Sequence, residues 1–430
     1  MKLKPFIAMT LAVAGTASAA GAVRTLAFPG AEGFGALASG GRGKPAVVVS
    51  NLNDDGPGSF RQAVSHDGAT VVFATAGVIH LKSNLVLASD LTIAGQTAPG
   101  SGITIADAKV SMTDAHNIVI RYMRFRGGIT EARGSSSLNL ANASQVMVDH
   151  VSIEWGRWDN IQTNGNSYST IQHSIIGQGI VPQRFGCLCE SDYLTLSHNL
   201  WIDNKSRNPK SKGHIQYVNN VVYNWGVTGY VGGHGAADHY ADVVNNYFIA
   251  GPESSAHFIG EFTKTDHTYA QGNYVDADRN GKLDGRPVGN DEFERAGADV
   301  AAQPTLQPEV AVHVDPAASL VHLVAKNAGD TLCRDAVDRR LVDDLLSFGL
   351  AGRFIADETE VGGLPPQAAG LVPKDSDGDG IPDDWERSHG LNPNDPMDGP
   401  AIDTTTGYSH LELYLNELAG RRPFSCEAPA

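Results

Sequence analysis

Cysteine is scarce in this chain of 430 residues: there are only four, and only 19% of the residues are charged. Neither a histidine nor a Cys-x-x-Cys pair stands at zinc spacing from them, which argues against a zinc site. Basic residues are also few. The balance of 32 Lys and Arg against 48 Asp and Glu gives a net charge of −16, which disfavours nucleic acid as a partner. Long apolar runs are missing beyond the N-terminus, where no segment approaches the ~20 apolar residues a membrane span needs, so a soluble mature chain is expected. The glycine-rich segment FPGAEGFGALASGGRG has no Gly-Lys-Ser/Thr after it and no helix start. That excludes a phosphate loop and leaves a cap and loop.

The N-terminus itself reads as an export leader. Lys2 and Lys4 precede an apolar run, and Ala17-Ser18-Ala19 supply small residues for cleavage after Ala19, so residues 1–19 are expected to be removed and the protein to be extracellular or periplasmic. In such a compartment Cys187, Cys189, Cys333 and Cys426 are free to oxidise, with three pairings open. Cys187 and Cys189 are separated by one residue, and each is expected to reach a distant partner rather than its neighbour.

What the chain does have is a repeat. IVIRYM, VMVDHV, TIQHSI, TLSHNL, QYVNNV, DVVNNY and TYAQGN place Arg121, Asp149, Gln172, Ser197, Val218, Val244 and Gln271 at steps of 28, 23, 25, 21, 26 and 27 residues. Short apolar strands at such a period mean an all-β solenoid, a parallel β-helix in which each coil covers the open face of the last. Asn199, Asn220, Asn246 and Asn273 fall in one equivalent place, where stacked amides are expected to form a hydrogen-bonded ladder.

The solenoid is expected over residues 24 to about 290, with a helix from Arg334 to Gly349 packed on it and the domain closing near 360. Residues 361–373, GGLPPQAAGLVP and its flank, are a linker by composition. Residues 374–430 form a small helical calcium-loop module. In DSDGDGIPDDWE the carboxylates of Asp375, Asp377, Asp379, Asp383 and Glu386 stand at positions 1, 3, 5, 9 and 12 of a calcium loop, with Gly380 at the turn and the Ile381 carbonyl at position 7. A helix after it starts at a Ser409 to Glu412 capping box. The run from Asp276 to Asp284 has the early ligands but Pro287 at position 12, and is read as an ordinary Asp/Asn/Gly loop.

Chemistry concentrates in NKSRNPKSK. Arg207, with Lys205, Lys210 and Lys212 around it, reverses the sign of a strongly acidic chain and points to an anionic ligand. On neighbouring coils, Asp149, Glu154 and Asp159 offer oxygens that would hold calcium and bridge to an acidic sugar, the favoured reading, although Asp149 lies within a strand where plain hydrogen bonding is the alternative. Trp155 and Trp158 either stack on sugar rings or cover the coil.

From FPGAEGFG through GPGSFRQAV, TIAGQTAPG, IRYMRFRGG, VDH, HNLW and the Arg-x-Pro loop to RDAVD and GYSHLELYLNEL, the chain resembles the pectate lyases of polysaccharide lyase family 1. The resemblance implies a right-handed parallel β-helix that cleaves polygalacturonate by calcium-dependent β-elimination, with no other cofactor. It implies Arg207 as catalytic base, Lys212 as the second basic residue holding the substrate carboxylate, and Asp149 with Asp159 as primary calcium ligands. The family's Asp-Gly-x-x-Asp reads here as Trp155-Gly156-Arg157-Trp158-Asp159, so the first carboxylate is lost and Glu154 is the candidate to replace it. A lysine usual after that pair is also missing, with Gln162 and Thr163 nearby and Lys210 as its substitute. A monomer acting on an anionic polysaccharide is expected. The rivals are a β-helix galacturonan hydrolase, which needs paired carboxylates and a water, and a noncatalytic polysaccharide-binding protein.

Overall fold

The computed structural model describes residues 24–420, so the leader and Cys426 lie outside the described residues. Its backbone winds into a parallel β-solenoid of about nine turns. The repeat positions stack as the spacing implies: Arg121 pairs with Asp149, Asp149 with Gln172, Gln172 with Ser197, Ser197 with Val218, Val218 with Val244 and Val244 with Gln271. Each coil contributes to three ladders. The long strands Phe185–Ser197 and Lys210–Val218 run through the first two and join them into one sheet, while short strands such as Ser152–Glu154, Leu200–Ile202 and Val221–Tyr223 build the third.

The coils turn from the second ladder to the third at residues in the left-handed region: His150, His173, His198, Asn219 and Asn245, all with φ near +50°. A turn so sharp buries backbone groups, and the asparagine column satisfies them. Asn199 Nδ2 donates to Asn220 Oδ1 at 3.1 Å, Asn220 to Asn246 at 3.2 Å and Asn246 to Asn273 at 3.0 Å, while the same amides also serve backbone carbonyls of the preceding coils. Inside, Val148, Ile171, Leu196, Tyr217 and Val243 form part of one continuous core. Burying each aliphatic side chain of this kind contributes roughly 2 kcal/mol.

Two helices close the third ladder. Ala336–Leu346 lies inside the expected segment and is capped by Asp335, whose side chain accepts from the amides of Val337 and Asp338. The helix Ala317–Asn327 was not foreseen; its Leu320, Val321 and Val324 pack with Leu341 and Leu345 over Leu200, Ile202, Val221 and Tyr223. Beneath them Arg124 and Arg126 are fully buried among Glu154, Asp330, Asp335 and Asp338. Four carboxylates share two guanidinium groups there, and burial drives Glu154 toward its protonated form.

The stretch between solenoid and tail lies along the solenoid surface, with the Ser101 amide donating to the Ala368 carbonyl at 3.0 Å. The tail then docks on the outer face of the early coils, where Ile381, Trp385, Leu411, Tyr414, Leu415 and Leu418 cover Val72 and Ala94.

The cysteine expectation is corrected. Cys187 and Cys189 bond to each other within one strand. Residues two apart in a strand face the same side, here the interior, and their Cα atoms are 5.6 Å apart, within reach of a disulfide.

Candidate active site

Arg207 follows the Lys205-Ser206 step of the loop that leads into Lys210–Val218, and its backbone is left-handed at φ +60°. The loop is pinned where it leaves the sheet: Cys187 N donates to the Arg207 carbonyl at 2.7 Å, and Asn208 Oδ1 accepts from the buried Asn204 amide at 3.0 Å. The guanidinium lies 4.2 Å over the Phe185 ring, and one of its nitrogens donates to both oxygens of Asp159, at 3.1 and 3.2 Å. Asp159 itself is fully buried at the start of the strand Asp159–Gln162, one coil below Phe185. Burial pushes its carboxyl up to about 6 against the opposing pull of Arg207.

Lys210 and Lys212 alternate along the next strand and share its outer side. Lys210 Nζ lies 3.2 Å from His234 Nδ1, and burial, then the nearby Arg207 charge, lowers its pKa from the ordinary lysine value. Lys212 pairs at 2.6 Å with Glu190, its partner in strand register one coil earlier. Phe185, Lys205, Arg207, Lys210, Val231 and Glu261 line a cavity of about 200 Å³. The result is a hollow with aromatic and aliphatic walls, several cations and the Glu261 carboxylate, and one of those cations, Arg207, is paired with the buried Asp159. Cations so placed can neutralise a bound carboxylate.

The three carboxylates expected to share one ion do not converge. Asp149 is buried at the far edge of the second ladder, where Arg121 Nε donates to it at 2.9 Å and Gln172 Nε2 at 2.9 Å. Burial works against its ionisation, but His150 and Arg121 outweigh it and hold the carboxyl well below its usual range. Glu154 belongs to the buried network under the helices, 2.9 Å from Arg126. Asp159 alone remains with Arg207. The reason is local to the sequence: Arg121 and Arg126 stand opposite Asp149 and Glu154 in the preceding coil and consume their charge. Trp155 is buried with its indole nitrogen on Gln178, so it covers the coil, while Trp158 is half-buried.

The tail carboxylates behave differently. Oxygens of Asp375, Asp377 and Asp379 gather within 4.8 Å of one another, and so do those of Asp379, Glu386 and Asp398. Asp383 stands outside this group, held by Lys374 at 2.6 Å, the Ser376 amide at 2.8 Å and Arg387 at 3.2 Å. Asp398, which the twelve-residue motif does not contain, takes part. In the Asp276 loop, Asp276, Asp278 and Asp284 also come together, with the Asn280 amide between the exposed Asp278 and Asp284.

Sequence reading missed Phe185, Glu190 and Glu261 around Arg207. Glu190 had a signal: 22 residues separate it from Lys212, one coil of the repeat.

No family model matches the chain. Whole-chain comparison is more informative. It is 43% identical over 398 residues to "Probable pectate lyase C" of Aspergillus flavus, covering 91% of this chain and 94% of that one. To the protein of the same name from Emericella nidulans it is 42% identical over 403 residues, covering 91% and 93%. Among solved structures, jun a 1, the major allergen from cedar pollen, matches at TM-score 0.52 and 16% identity over 70% of this chain and 92% of its own. A pectate lyase bound to hexasaccharide matches at TM-score 0.51 and 13% identity over 73% and 99%. At such identity the structures attest the fold, whereas identity above 40% over nine-tenths of both chains attests more: this chain belongs to the pectate lyase family.

Proposed function

We propose that this chain is a polysaccharide lyase that cleaves polygalacturonate by β-elimination, leaving oligogalacturonides unsaturated between C4 and C5. The observation that supports the mechanism is the meeting of Lys205, Arg207 and Lys210 around one hollow, with Lys212 two residues along the same strand face, in a chain whose net charge is −16.

In this reading Lys210 and Lys212 meet the uronate carboxylate, onto which charge spreads when the C5 proton is removed. Arg207 takes that proton as the neutral guanidine, having first given up one of its own to solvent. The electron pair of the C5–H bond becomes the C4–C5 double bond, the C4–O bond breaks, and the departing oxygen takes a proton from solvent. Both partners must first be released, Arg207 from Asp159 and Lys212 from Glu190, and a substrate carboxylate competes with Glu190 directly. Calcium at these coils would find Asp159 but neither Asp149 nor Glu154, which are spent on arginines, so no step is routed through it. A hydrolase with Asp149 and Asp159 as its acid pair is disfavoured for the same reason: one is tied to Arg121 and the other to Arg207, on different ladders.

Initial rates on polygalacturonate of graded methyl esterification test the reading. The expected result is faster cleavage of the free acid, a rise in absorbance from the unsaturated product, and loss of the preference for free acid in Lys212→Ala. Equal rates on every substrate, with Lys212→Ala unaffected, would remove the lysine from the site. Export rests on residues 1–19 and is checked by N-terminal sequencing of the mature protein; among the described residues no helix is long and apolar enough to cross a membrane.

A further inference from the structure

The tail carboxylates leave oxygens without partners in a place closed to water. Glu386 is fully buried and Asp379 is 3% exposed, yet both Glu386 oxygens and Asp379 Oδ2 accept no hydrogen bond, and the same holds for Asp377 Oδ2 and Asp398 Oδ1. Their other oxygens are fixed from outside. Asp377 Oδ1 accepts from the Asp379 amide at 3.3 Å, Asp379 Oδ1 from the Ile381 amide at 2.9 Å and Asp398 Oδ2 from the Asn392 amide at 2.8 Å, so each carboxylate is held by one oxygen and offers the other. Asp375 accepts from the amides of Gly378 and Gly380 at 2.7 and 3.0 Å, with lone pairs to spare. Gly399 lies against Asp379, where a side chain would collide with that carboxylate. The two neighbouring cations cannot answer the charge, because Asp383 engages both Lys374 and Arg387. Carboxylates gathered with buried, unpartnered oxygens are costly unless they take up protons or a cation joins them, and oxygens held ready on several sides suit the cation.

We propose that Asp375, Asp377, Asp379, Glu386 and Asp398 bind one calcium ion, and that Asp398 replaces Asp383 as the ligand that closes the site. The donor set is all oxygen and mostly carboxylate, which suits calcium with its six to eight oxygen ligands better than magnesium, which keeps its waters. Use of Asp398 changes what the ion does. A ligand set confined to residues 375–386 would order one loop and the helix Asp383–His389, whereas Asp398 belongs to the turn that leads into the helix His410–Ala419. His410 Nδ1 lies 2.8 Å from the Asp398 carbonyl, and the Leu411 amide donates to Gly399 at 3.0 Å. The ion therefore ties both tail helices together, and through Ile381, Trp385, Leu411 and Leu415 it fixes them on the early coils at Val72 and Ala94. The role is that of a clasp, independent of the catalytic reading.

The test uses the full chain, stripped with chelator and titrated with calcium by calorimetry, with thermal unfolding followed in parallel. Asp398→Ala and Glu386→Gln are each expected to lose one bound calcium per chain and the calcium-dependent rise in Tm, whereas Asp383→Asn keeps both. Magnesium in place of calcium is expected to give no such rise. Asp398→Ala binding as many ions as the parent with the same rise in Tm, or Asp383→Asn losing the ion, would overturn the assignment. So would a parent that takes up no calcium that Glu386→Gln fails to take up.

Discussion

Replacing Arg207 separates the chemistry of the hollow from its stability. Arg207→Ala removes the proposed base, and loss of a base costs ~10²- to 10⁴-fold in rate. It also takes the paired guanidinium from a fully buried carboxylate, and breaking a buried pair costs about 3–5 kcal/mol when the remaining group stays charged. Asp159 need not stay charged. Its carboxyl is already raised to about 6, above its unfolded value of 3.8, so the folded chain holds a proton there that the unfolded chain gives up, and stability falls as pH rises through that interval. Without Arg207 the carboxyl rises further. Below about pH 6 variant and parent therefore unfold at similar urea concentrations, and above it the variant falls behind, approaching the cost of the broken pair. Arg207→Lys keeps a charge for Asp159 and is expected to recover much of the stability but none of the rate. Urea midpoints and product absorbance across pH read both effects. A variant with half the parental rate would refute the base, and a stability difference that ignores pH would refute the pairing.

Asn246→Ala removes the acceptor of the Asn220 amide groups and the donor to the Tyr217 carbonyl, and at about 1–3 kcal/mol for each buried group left unpaired it is expected to lower the urea midpoint more than any substitution of an exposed strand residue. Burial pushes His173 down to about 3 between His150 and His198, so the unfolded chain takes up a proton that the folded one refuses and stability is lost as pH falls below about 6.5; His173→Phe, which keeps the ring stack, is expected to flatten that acid limb. Burial raises Asp203 to about 8, so its contribution falls as pH rises toward that value, and Asp203→Asn is expected to raise Tm in alkaline buffer while changing it little in acid. Because the pKa of Lys210 is lowered, chiefly by burial, Lys210→Arg is expected to extend activity on free-acid substrate toward higher pH, as read by the pH profile of kcat/KM.

The coil register was legible because each turn repeats the same apolar strand before the same corner, which is why Arg121 to Gln271 align in the structure as they do by spacing. The asparagine column was legible for the same reason. The partners of charges were not. Arg121 and Asp149 occupy equivalent places one coil apart, so their pairing was within reach of the repeat, but a carboxylate beside basic loops reads equally well as a ligand until its neighbour's direction is known. Cys187 and Cys189 required knowing that both face inward from one strand. Trp155 was ambiguous because a corner residue points either way, and here it joins the apolar cluster beneath the two helices, with its indole nitrogen on Gln178. Asp398 lies twelve residues past Glu386, outside any local motif, and is brought to the loop by the turn before His410–Ala419.

Cleavage of polygalacturonate in heavy-oxygen water, with products weighed by mass spectrometry, tests elimination most directly. The expected products gain no oxygen from solvent, and each cut yields one fragment lighter by a water than its saturated counterpart, with neither formed by Arg207→Ala. Saturated fragments carrying one heavy oxygen per cut would contradict the account and make the enzyme a hydrolase.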